Sequence, residues 1–257
     1  MDKGSFSGAI LAITGIVAGL LIEGGSLGQI LQPTAALIVF GGTMGAVLLQ
    51  FPLSTVGAAF RRMAHVFAAP RKQSDALMRQ LVEFANRARR NGVVSLDADL
   101  KSIEDPFLKQ ALMLAVDGTE PMDLRKIMRV TLDSKAERDD RLPSVFESAG
   151  GFSPTIGILG AVLGLIQVMQ HLDNIQEVGR GIAVAFVATI YGVGAANLFF
   201  LPFAGKMRIQ LREEYLHREM MLEGVISILE GMNPRVLEMK LAGFLNDSSR
   251  KEQERAA

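Results

Sequence analysis

Four long stretches without a charged side chain constrain the fold of this chain more than any other feature. They contain no Asp, Glu, Lys or Arg and cover Gly4–Ile22, Gly24–Phe60, Ser148–Leu172 and Gly181–Gly205. A helix needs about 20 apolar residues to cross a hydrocarbon core of roughly 30 Å, and each stretch is long enough. The sequence therefore predicts an all-α, polytopic membrane protein with four transmembrane helices.

The second stretch is too long for one span, so we place its membrane part at about Pro33–Leu53 and expect a short turn over Gly24–Gln32. The first stretch is not a secretory signal in our interpretation, because Lys3 is its only preceding basic residue and a second span follows closely. The predicted segments are 1–60 (helices 1 and 2), 61–147 (a helical cytoplasmic loop), 148–205 (helices 3 and 4) and 206–257 (cytoplasmic C-terminal helices and tail).

Basic residues predict the orientation. Sixteen Lys and Arg lie between Arg61 and Arg141 and nine more follow Gly205, whereas Glu23–Gln32 has none and Asp173–Arg180 has one. Loops rich in Lys and Arg stay on the cytoplasmic side. We therefore expect a multi-pass protein of the cell inner (cytoplasmic) membrane, with both termini in the cytoplasm.

Apolar spacing and capping residues predict helices in the cytoplasmic segments. Leu77, Leu81, Phe84 and Ala88 recur at helical spacing before Gly92, and Asp105 precedes Pro106 as a helix cap. Pro121–Leu142 reads as a further helix, which Pro143 breaks or kinks before the third span. A long helix after the fourth span and a short one capped by Asn233 follow, and the polar residues from about Asp247 are expected to be disordered.

Composition excludes several classes of function. The chain has no Cys, which removes thiol catalysis and Cys-type zinc sites, and its three His are scattered. The 27 basic and 27 acidic residues balance, so net charge gives no reason to expect a nucleic-acid partner. No nucleophile–base set or phosphate loop is recognisable, so we expect neither an enzyme nor a bound cofactor.

Small residues recur at four-residue spacing in spans two to four. The pairs are Gly41 with Gly45, Gly157 with Ala161, Gly160 with Gly164, and Gly192 with Ala196. Small residues let membrane helices approach closely. Ordinary bundle packing explains any one pair, whereas all of them together favour tight packing, including packing between copies of the subunit.

The spans carry no carboxylate near their centres, although intramembrane charges usually mark ion relays. If this chain serves ion flow, a partner must supply that group. Thr189 is the best local candidate for lining a path, and the alternative is a hydroxyl bonded to its own helix. Pro154 and Pro202 lie near the cytoplasmic ends of spans three and four, where a kink would suit transmission of motion, or would simply serve packing.

Five separate segments resemble one family. They are Pro33–Thr43; Arg87–Asp97 with Asp105–Leu108 and Asp117-Gly118; Pro154–Gly164; Gly181–Gly192 with Pro202; and Glu223-Gly224 with Gly231–Pro234. In this order they resemble the MotA family of flagellar stator subunits (MotA, PomA and MotC types), within the MotA/TolQ/ExbB proton channel superfamily. The resemblance extends over nearly the whole chain, to about Leu245.

The resemblance implies a homo-pentameric ring around two copies of a MotB-type partner, which supplies the membrane aspartate. It implies that ion passage turns the ring and that loop charges push the flagellar rotor switch protein. Arg89 and Asp97 match the family's rotor-contact positions, with Arg90 adjacent, although for Arg89 and Arg90 a solvated helix face remains the alternative. Pro154, Pro202 and Thr189 match its two prolines and its pathway threonine.

Two departures from the family pattern affect the expected mechanism. Asp97 stands where the family usually has Glu, which keeps the charge and shortens its reach. Ala161 and Ala188 stand where sodium-driven relatives tend to have Thr. Sodium requires oxygen ligands that alanine lacks, so we expect proton drive.

Two other functions remain open from the residues. An ExbB- or TolQ-like channel would energise outer-membrane processes, but those relatives typically have three spans and an outside amino terminus. A non-transporting membrane scaffold would use the same close helix packing and a cytoplasmic docking loop, without ion flux.

Overall fold

The computed structural model describes residues 3–66 and 74–244, and in these ranges the regular structure is helical throughout. The helices are α1 (Lys3–Ile22), α2 (Leu27–Ile30), α3 (Pro33–Ala36), α4 (Gly42–Gln50), α5 (Leu53–Val66), α6 (Ser74–Asn91), α7 (Pro106–Val116), α8 (Pro121–Gln170), α9 (Ile175–Ala195), α10 (Leu201–Leu229) and α11 (Pro234–Ala242). Two π-helical turns, Leu37–Gly41 and Ala196–Phe200, and a 3₁₀ helix, Val93–Asp99, lie between them. The predicted disorder from Asp247 lies outside the described residues.

The chain divides into two compact units. We name the first, Met1–Ala69 with Asp139–Gln210, the membrane unit. The second, Pro70–Arg138 with Leu211–Ala257, is the loop unit. The membrane unit contains the charge-free stretches, and the loop unit contains most of the charged helical sequence.

The helices of the membrane unit confirm the predicted fold class. Pro33–Gln50, α8 and the helical run Ile175–Leu229 each contain a window long and apolar enough to cross a membrane. The apolar part of α1, Phe6–Ile22, is shorter at 17 residues, at the lower limit of about 17–25 residues for a span. Large apolar side chains on α1 face outward, including Leu11 at 75% exposure, as a lipid-facing surface requires.

The second span differs in detail from the prediction. Its helix ends at Gln50, because Phe51 adopts an extended backbone (φ −122°, ψ 143°) before Pro52, and the residue before a proline disfavours the helical region. The expected turn at Gly24–Gln32 contains the short helix α2, where the Ser26 backbone N–H donates to Gln29 Oε1 at 3.2 Å.

Of the predicted break or kink at Pro143, the break is absent, because α8 is one helix of 50 residues that contains both Pro143 and Pro154. A proline removes one backbone donor, but packing on either side can keep the helix intact. Val145 and Phe146, two and three residues after Pro143, are each 1% exposed, and the ring of Phe146 meets that of Phe60 edge-on at 5.4 Å. Tertiary contacts therefore override the local signal.

The core of the loop unit confirms the helices predicted from spacing and caps. Leu77, Leu81, Phe84 and Ala88 are all buried on α6, which ends before Gly92 at φ +81°. Asp105 caps α7, and its Oδ1 accepts from the backbone N–H groups of Phe107 (2.8 Å) and Leu108 (3.1 Å). These side chains share one apolar cluster with buried residues of α8, α10 and α11.

Candidate functional site

The backbones of α8 and α9 touch along a row of glycines in the membrane unit. A Cβ placed on Gly192 would lie 2.5 Å from the carbonyl oxygen of Ser153, and one on Gly157 would lie 2.8 Å from that of Ala188. One on Gly164 would lie 2.8 Å from the carbonyl oxygen of Gly181. Because these neighbours are backbone atoms, no larger side chain fits without moving a helix.

The other predicted small-residue pair lies elsewhere. Nothing among the described residues comes within 4 Å of a Cβ placed on Gly41 or Gly45. Gly42, between them, would meet Ile156 Cγ2 of α8 at 2.9 Å. The second span therefore approaches α8 closely at Gly42, which the four-residue spacing did not single out, and at Gly160, where a Cβ would lie 3.3 Å from Ile38 Cγ2.

A buried hydroxyl joins α8 to α9 at the same contact. Ser153 is 0% exposed, and its Oγ donates to the carbonyl oxygen of Gly192 at 2.9 Å. Where α8 meets the glycine side of α9, the two helices are thus linked by a hydrogen bond as well as by close packing. Sequence analysis missed Ser153, whose only signal is a hydroxyl immediately before Pro154.

The predicted pathway residues occupy different environments. The Thr189 hydroxyl is half-buried and donates to the Ala185 carbonyl of its own helix at 3.3 Å. Ala188 is 0% exposed and packs with Ala35, Val39 and Val187, whereas Ala161 is half-buried. Ala188 therefore fills the contact between spans within this chain.

Pro154 and Pro202 also differ in setting. Pro154 lies inside α8, and its Cα is 3.2 Å from a Cβ placed on Gly192. Pro202 is exposed at the second position of α10, directly after the π-helical turn Ala196–Phe200. In that turn the Leu201 N–H bonds to the Ala196 carbonyl five residues earlier. The π-helical turn is wider than an α-helical turn, and it accommodates Pro202, which has no backbone N–H to donate.

Tyr191 bonds to the irregular backbone that precedes the second span. Its hydroxyl donates to the carbonyl oxygen of Ile30 at 2.6 Å and accepts from the backbone N–H of Gln32 at 3.3 Å. Its ring lies 6.0 Å from that of Phe40, centroid to centroid. Backbone polar groups near lipid must find partners within the protein. The Tyr191 hydroxyl is the hydrogen-bond partner of two such groups, the Ile30 carbonyl and the Gln32 N–H. Nothing in the sequence indicated this role.

The predicted rotor-contact residues lie in the loop unit. Arg89 and Arg90 are in the last turn of α6, where the helix dipole favours cations, and Asp97 is in the 3₁₀ helix Val93–Asp99. All three side chains are exposed. By contrast, Arg87 of the same basic run donates to Asp99 and to Glu83. The hydrogen bond and the charge of Asp99 raise the pKa of Arg87.

A second charged cluster joins three helices of the loop unit. Glu223 of α10 accepts from Arg125 of α8 and, at 2.7 Å, from Nζ of Lys240 of α11. That Nζ also lies 3.1 Å from Ser227 Oγ. Burial opposes ionisation of Glu223, but the hydrogen bonds from Arg125 and Lys240 outweigh it and lower its pKa.

Comparisons with known proteins place the chain in a family. A family model described as the MotA/TolQ/ExbB proton channel family matches residues 99–220, and one described as motility protein A N-terminal matches residues 6–92. Motility protein A of Bacillus subtilis (strain 168) is 36% identical over 246 residues, which cover 95% of this chain and 91% of that protein. The chain belongs to the motility protein A family.

Other members and solved structures agree with this assignment to the motility protein A (MotA) family. Chemotaxis protein PomA of Vibrio alginolyticus is 29% identical over 97% of this chain and 98% of its own length. The structure of C. jejuni MotAB matches with a TM-score of 0.91 at 32% identity, over 96% of this chain and 97% of that one. The structure of the flagellar MotAB stator complex from Bacillus subtilis matches with a TM-score of 0.89 at 36% identity, over 98% of this chain and 99% of that one.

Membership of the MotA family and the apolar helices together make this a multi-pass inner-membrane protein. In this MotA-type fold, Glu223 and Gly224 belong to a segment that resembles the family, but the sequence indicated no role for either residue. A Cβ on Gly224 would lie 2.7 Å from Leu81 Cδ1, so the glycine lets α10 approach α6. The presence of a carboxylate beside a glycine in an apolar stretch was the available signal for the Glu223 cluster.

Proposed function

We propose that this chain is the membrane subunit of a flagellar motor stator, which with a MotB-type partner forms an ion channel and converts ion flow into torque. The carrying observation is the likeness to chains of MotAB complexes, at a TM-score of 0.91 over 96% of this chain. The match to the motility protein A N-terminal model, residues 6–92, favours this function over an ExbB- or TolQ-like channel. Catalysis is no part of this proposal.

A partner must contribute the ion-carrying carboxylate. The four charge-free stretches contain no Asp or Glu, whereas a proton relay through a membrane requires a titratable group. We propose that the transmembrane aspartate of a MotB-type subunit fills this role, inside a homo-pentamer of this chain. Outward-facing apolar side chains such as Phe186, 69% exposed, supply surface for contacts with partner, copy or lipid.

Within the proposed channel Thr189 lines the ion path near Ala161 and Ala188, and the ion is a proton. Alanine side chains offer no oxygen ligand for sodium, whereas a proton needs only a carboxylate and water. The half-buried Thr189 hydroxyl already has its own proton engaged by Ala185, which leaves its oxygen lone pairs available as acceptors.

Motion then passes from the membrane unit to the rotor. Pro154 and Pro202 are the proposed coupling points, because each removes a backbone bond from a helix that runs on towards charged sequence. Arg89, Arg90 and Asp97 are the proposed contacts with the rotor switch protein. This arrangement requires both termini and the loop unit to be cytoplasmic, as the distribution of Lys and Arg predicts.

The test is motility in a host whose stator genes are deleted, carrying this chain with its cognate MotB-type partner. Swimming that survives replacement of sodium by potassium and stops with a protonophore supports the proton-driven stator. Strict sodium dependence contradicts the proton assignment. No motility, with both proteins present in the membrane, contradicts the stator function and favours an ExbB-like channel if ions still flow, or a scaffold if they do not.

A further inference from the structure

One arginine of the basic run on α6 is bound within the chain. Arg87 donates to the Asp99 carboxylate and, at 2.9 Å, to Glu83 Oε1. The side chains of Arg87 and Asp99 are 35% and 22% exposed, while Arg89 and Arg90 are exposed and form no ion pair with another described residue. The basic run therefore contains one arginine that is paired within the chain, Arg87, and two that are exposed, Arg89 and Arg90.

Asp99 ends a short segment that is restrained along its whole length. Gly92, at φ +81°, turns the chain out of α6, and Ser95 Oγ donates to its carbonyl oxygen at 2.6 Å. Leu96 is 0% exposed and anchors the middle of the 3₁₀ helix in the core. The Arg87–Asp99 pair closes the far end, so the segment Val93–Asp99 is tied to α6 at both ends.

The same pair decides which charges this surface displays. Arg87 and Asp99 compensate each other, whereas Arg89, Arg90 and Asp97 are exposed charges, and Val94 is an apolar side chain at 70% exposure. If Arg87 were replaced, Asp99 would remain as an uncompensated carboxylate two residues from Asp97. The surface would then change from mainly basic to mixed, and a mainly acidic partner surface would be attracted less.

We propose that Arg87 and Asp99 are positioning residues, whose ion pair locks Val93–Asp99 onto α6 and holds Asp97 at a fixed place relative to Arg89 and Arg90. This inference rests on the proposed rotor contact and adds the device that preorganises it. Exposed charge pairs gain little from each contact, because ordering long side chains costs entropy. A contact made and released repeatedly therefore benefits from a surface that is already rigid.

A charge exchange within the chain tests the pair. The variants are Arg87→Glu, Asp99→Arg and the double exchange, each expressed with the MotB-type partner, and Arg79→Glu on the exposed face of α6 is the matched control. Each single change is expected to slow swimming while membrane abundance and proton flux into vesicles stay at wild-type values. The double exchange is expected to restore part of the speed, since a coupled pair is non-additive but the carboxylate placed at position 87 would still face Glu83.

A spectroscopic readout separates positioning from general stability. The chain has no Cys, so Val94→Cys gives one site for a nitroxide label in each copy of this chain. Label mobility is expected to rise when Asp99→Asn is added, a milder change that removes only one charge, and not when Arg79→Glu is added. Unchanged mobility with Asp99→Asn would overturn the proposal.

The outcomes also separate this inference from the stator function. A wild-type chain that supports neither motility nor proton flux contradicts the stator proposal, whatever these variants do. If the wild type works and the double exchange swims no better than the worse single variant, the positioning role is wrong. Rescue of Arg87→Glu by a charge reversal in the rotor, but not by Asp99→Arg, would instead make Arg87 a direct contact.

Discussion

Ser153 Oγ donates a 2.9 Å hydrogen bond to the carbonyl oxygen of Gly192, so a side chain of α8 is fixed to the backbone of α9 where the two helices touch. Ser153 directly precedes Pro154, the proposed coupling residue. Atoms of Pro154 and Gly157 both lie close to Gly192, so Pro154 is part of the close contact between α8 and α9. Hydrogen bonds between membrane helices contribute about 0.6–2 kcal/mol. The glycine contacts add close backbone packing to this hydrogen bond.

Substitution of Gly192 should separate α8 from α9. In Gly192→Val the new Cβ would meet the backbone oxygen of Ser153 at 2.5 Å, which cannot move without shifting α8, so we expect a loss of about 1–3 kcal/mol or more of stability. The matched control is Gly194→Val, because nothing lies within 4 Å of a Cβ there. Thermal unfolding of the detergent-solubilised complex measures both, and equal melting temperatures would contradict the packing argument.

Tyr191→Phe should loosen the backbone before the second span. The change removes the hydroxyl that serves both Ile30 and Gln32 and leaves two backbone groups without a partner, at a cost of about 1–3 kcal/mol. Hydrogen exchange of residues 27–34 should become faster. Tyr215→Phe is the control, because that hydroxyl bonds to the exposed Asp133 at 3.3 Å and its loss should leave this exchange unchanged.

Stability of the loop unit should fall in acid through Glu223. The folded pKa of Glu223 is lowered below the ordinary 4.5: burial opposes ionisation but is outweighed by hydrogen bonds from Arg125 and Lys240. A depressed folded pKa gives stability that is present above the unfolded pKa and lost as the pH falls through the folded value. Melting temperatures measured from neutral pH down to the pH at which the protein unfolds should fall in the wild type. They should fall less in Glu223→Gln, which is already less stable than the wild type at neutral pH. Parallel pH profiles would contradict the assignment.

Thr189 should affect ion flow through its hydroxyl. Thr189→Ser keeps the group and should retain motility, whereas Thr189→Val keeps the shape, removes the hydroxyl and should slow proton flux with little change in melting temperature. The small stability effect follows because the lost bond is local, to Ala185 at 3.3 Å. Equal flux in both variants, at equal abundance, would leave Thr189 as a residue of ordinary helix packing.

Reversal of the outward arginines should lower torque without stopping the ion. Arg89→Glu with Arg90→Glu inverts the charge of the exposed end of α6, far in sequence from the spans, so we expect slower rotation of tethered cells at normal proton flux. Arg79→Glu, exposed on the same helix, should rotate normally. Full torque in the double variant would favour the alternative of a solvated helix face.

Much of the fold was predictable because its signals are local. The burial of Leu77, Leu81 and Phe84 followed from helical spacing, and the cap at Asp105 followed from its position before Pro106. Pro143 does not end the helix, because a long helix tolerates one missing backbone hydrogen bond when side chains near it, such as Phe146, are packed. Thr189 was chosen as a hydroxyl in the middle of the fourth span and Ala188 through the family resemblance, and only the structure distinguished the half-buried hydroxyl from the fully packed methyl group.

The sequence by itself determined the apolar spans, their lack of a carboxylate and the helical segments of the loop unit, because these features depend on the length and composition of continuous segments. Only the tertiary structure decided that Tyr191 serves Ile30, that Arg87 binds Asp99, and that Glu223 joins Arg125 to Lys240. The physical reason is that such contacts depend on which faces of folded helices meet. Pattern along the chain specifies a helix and its apolar face, whereas the partner of a polar group is specified by packing in three dimensions.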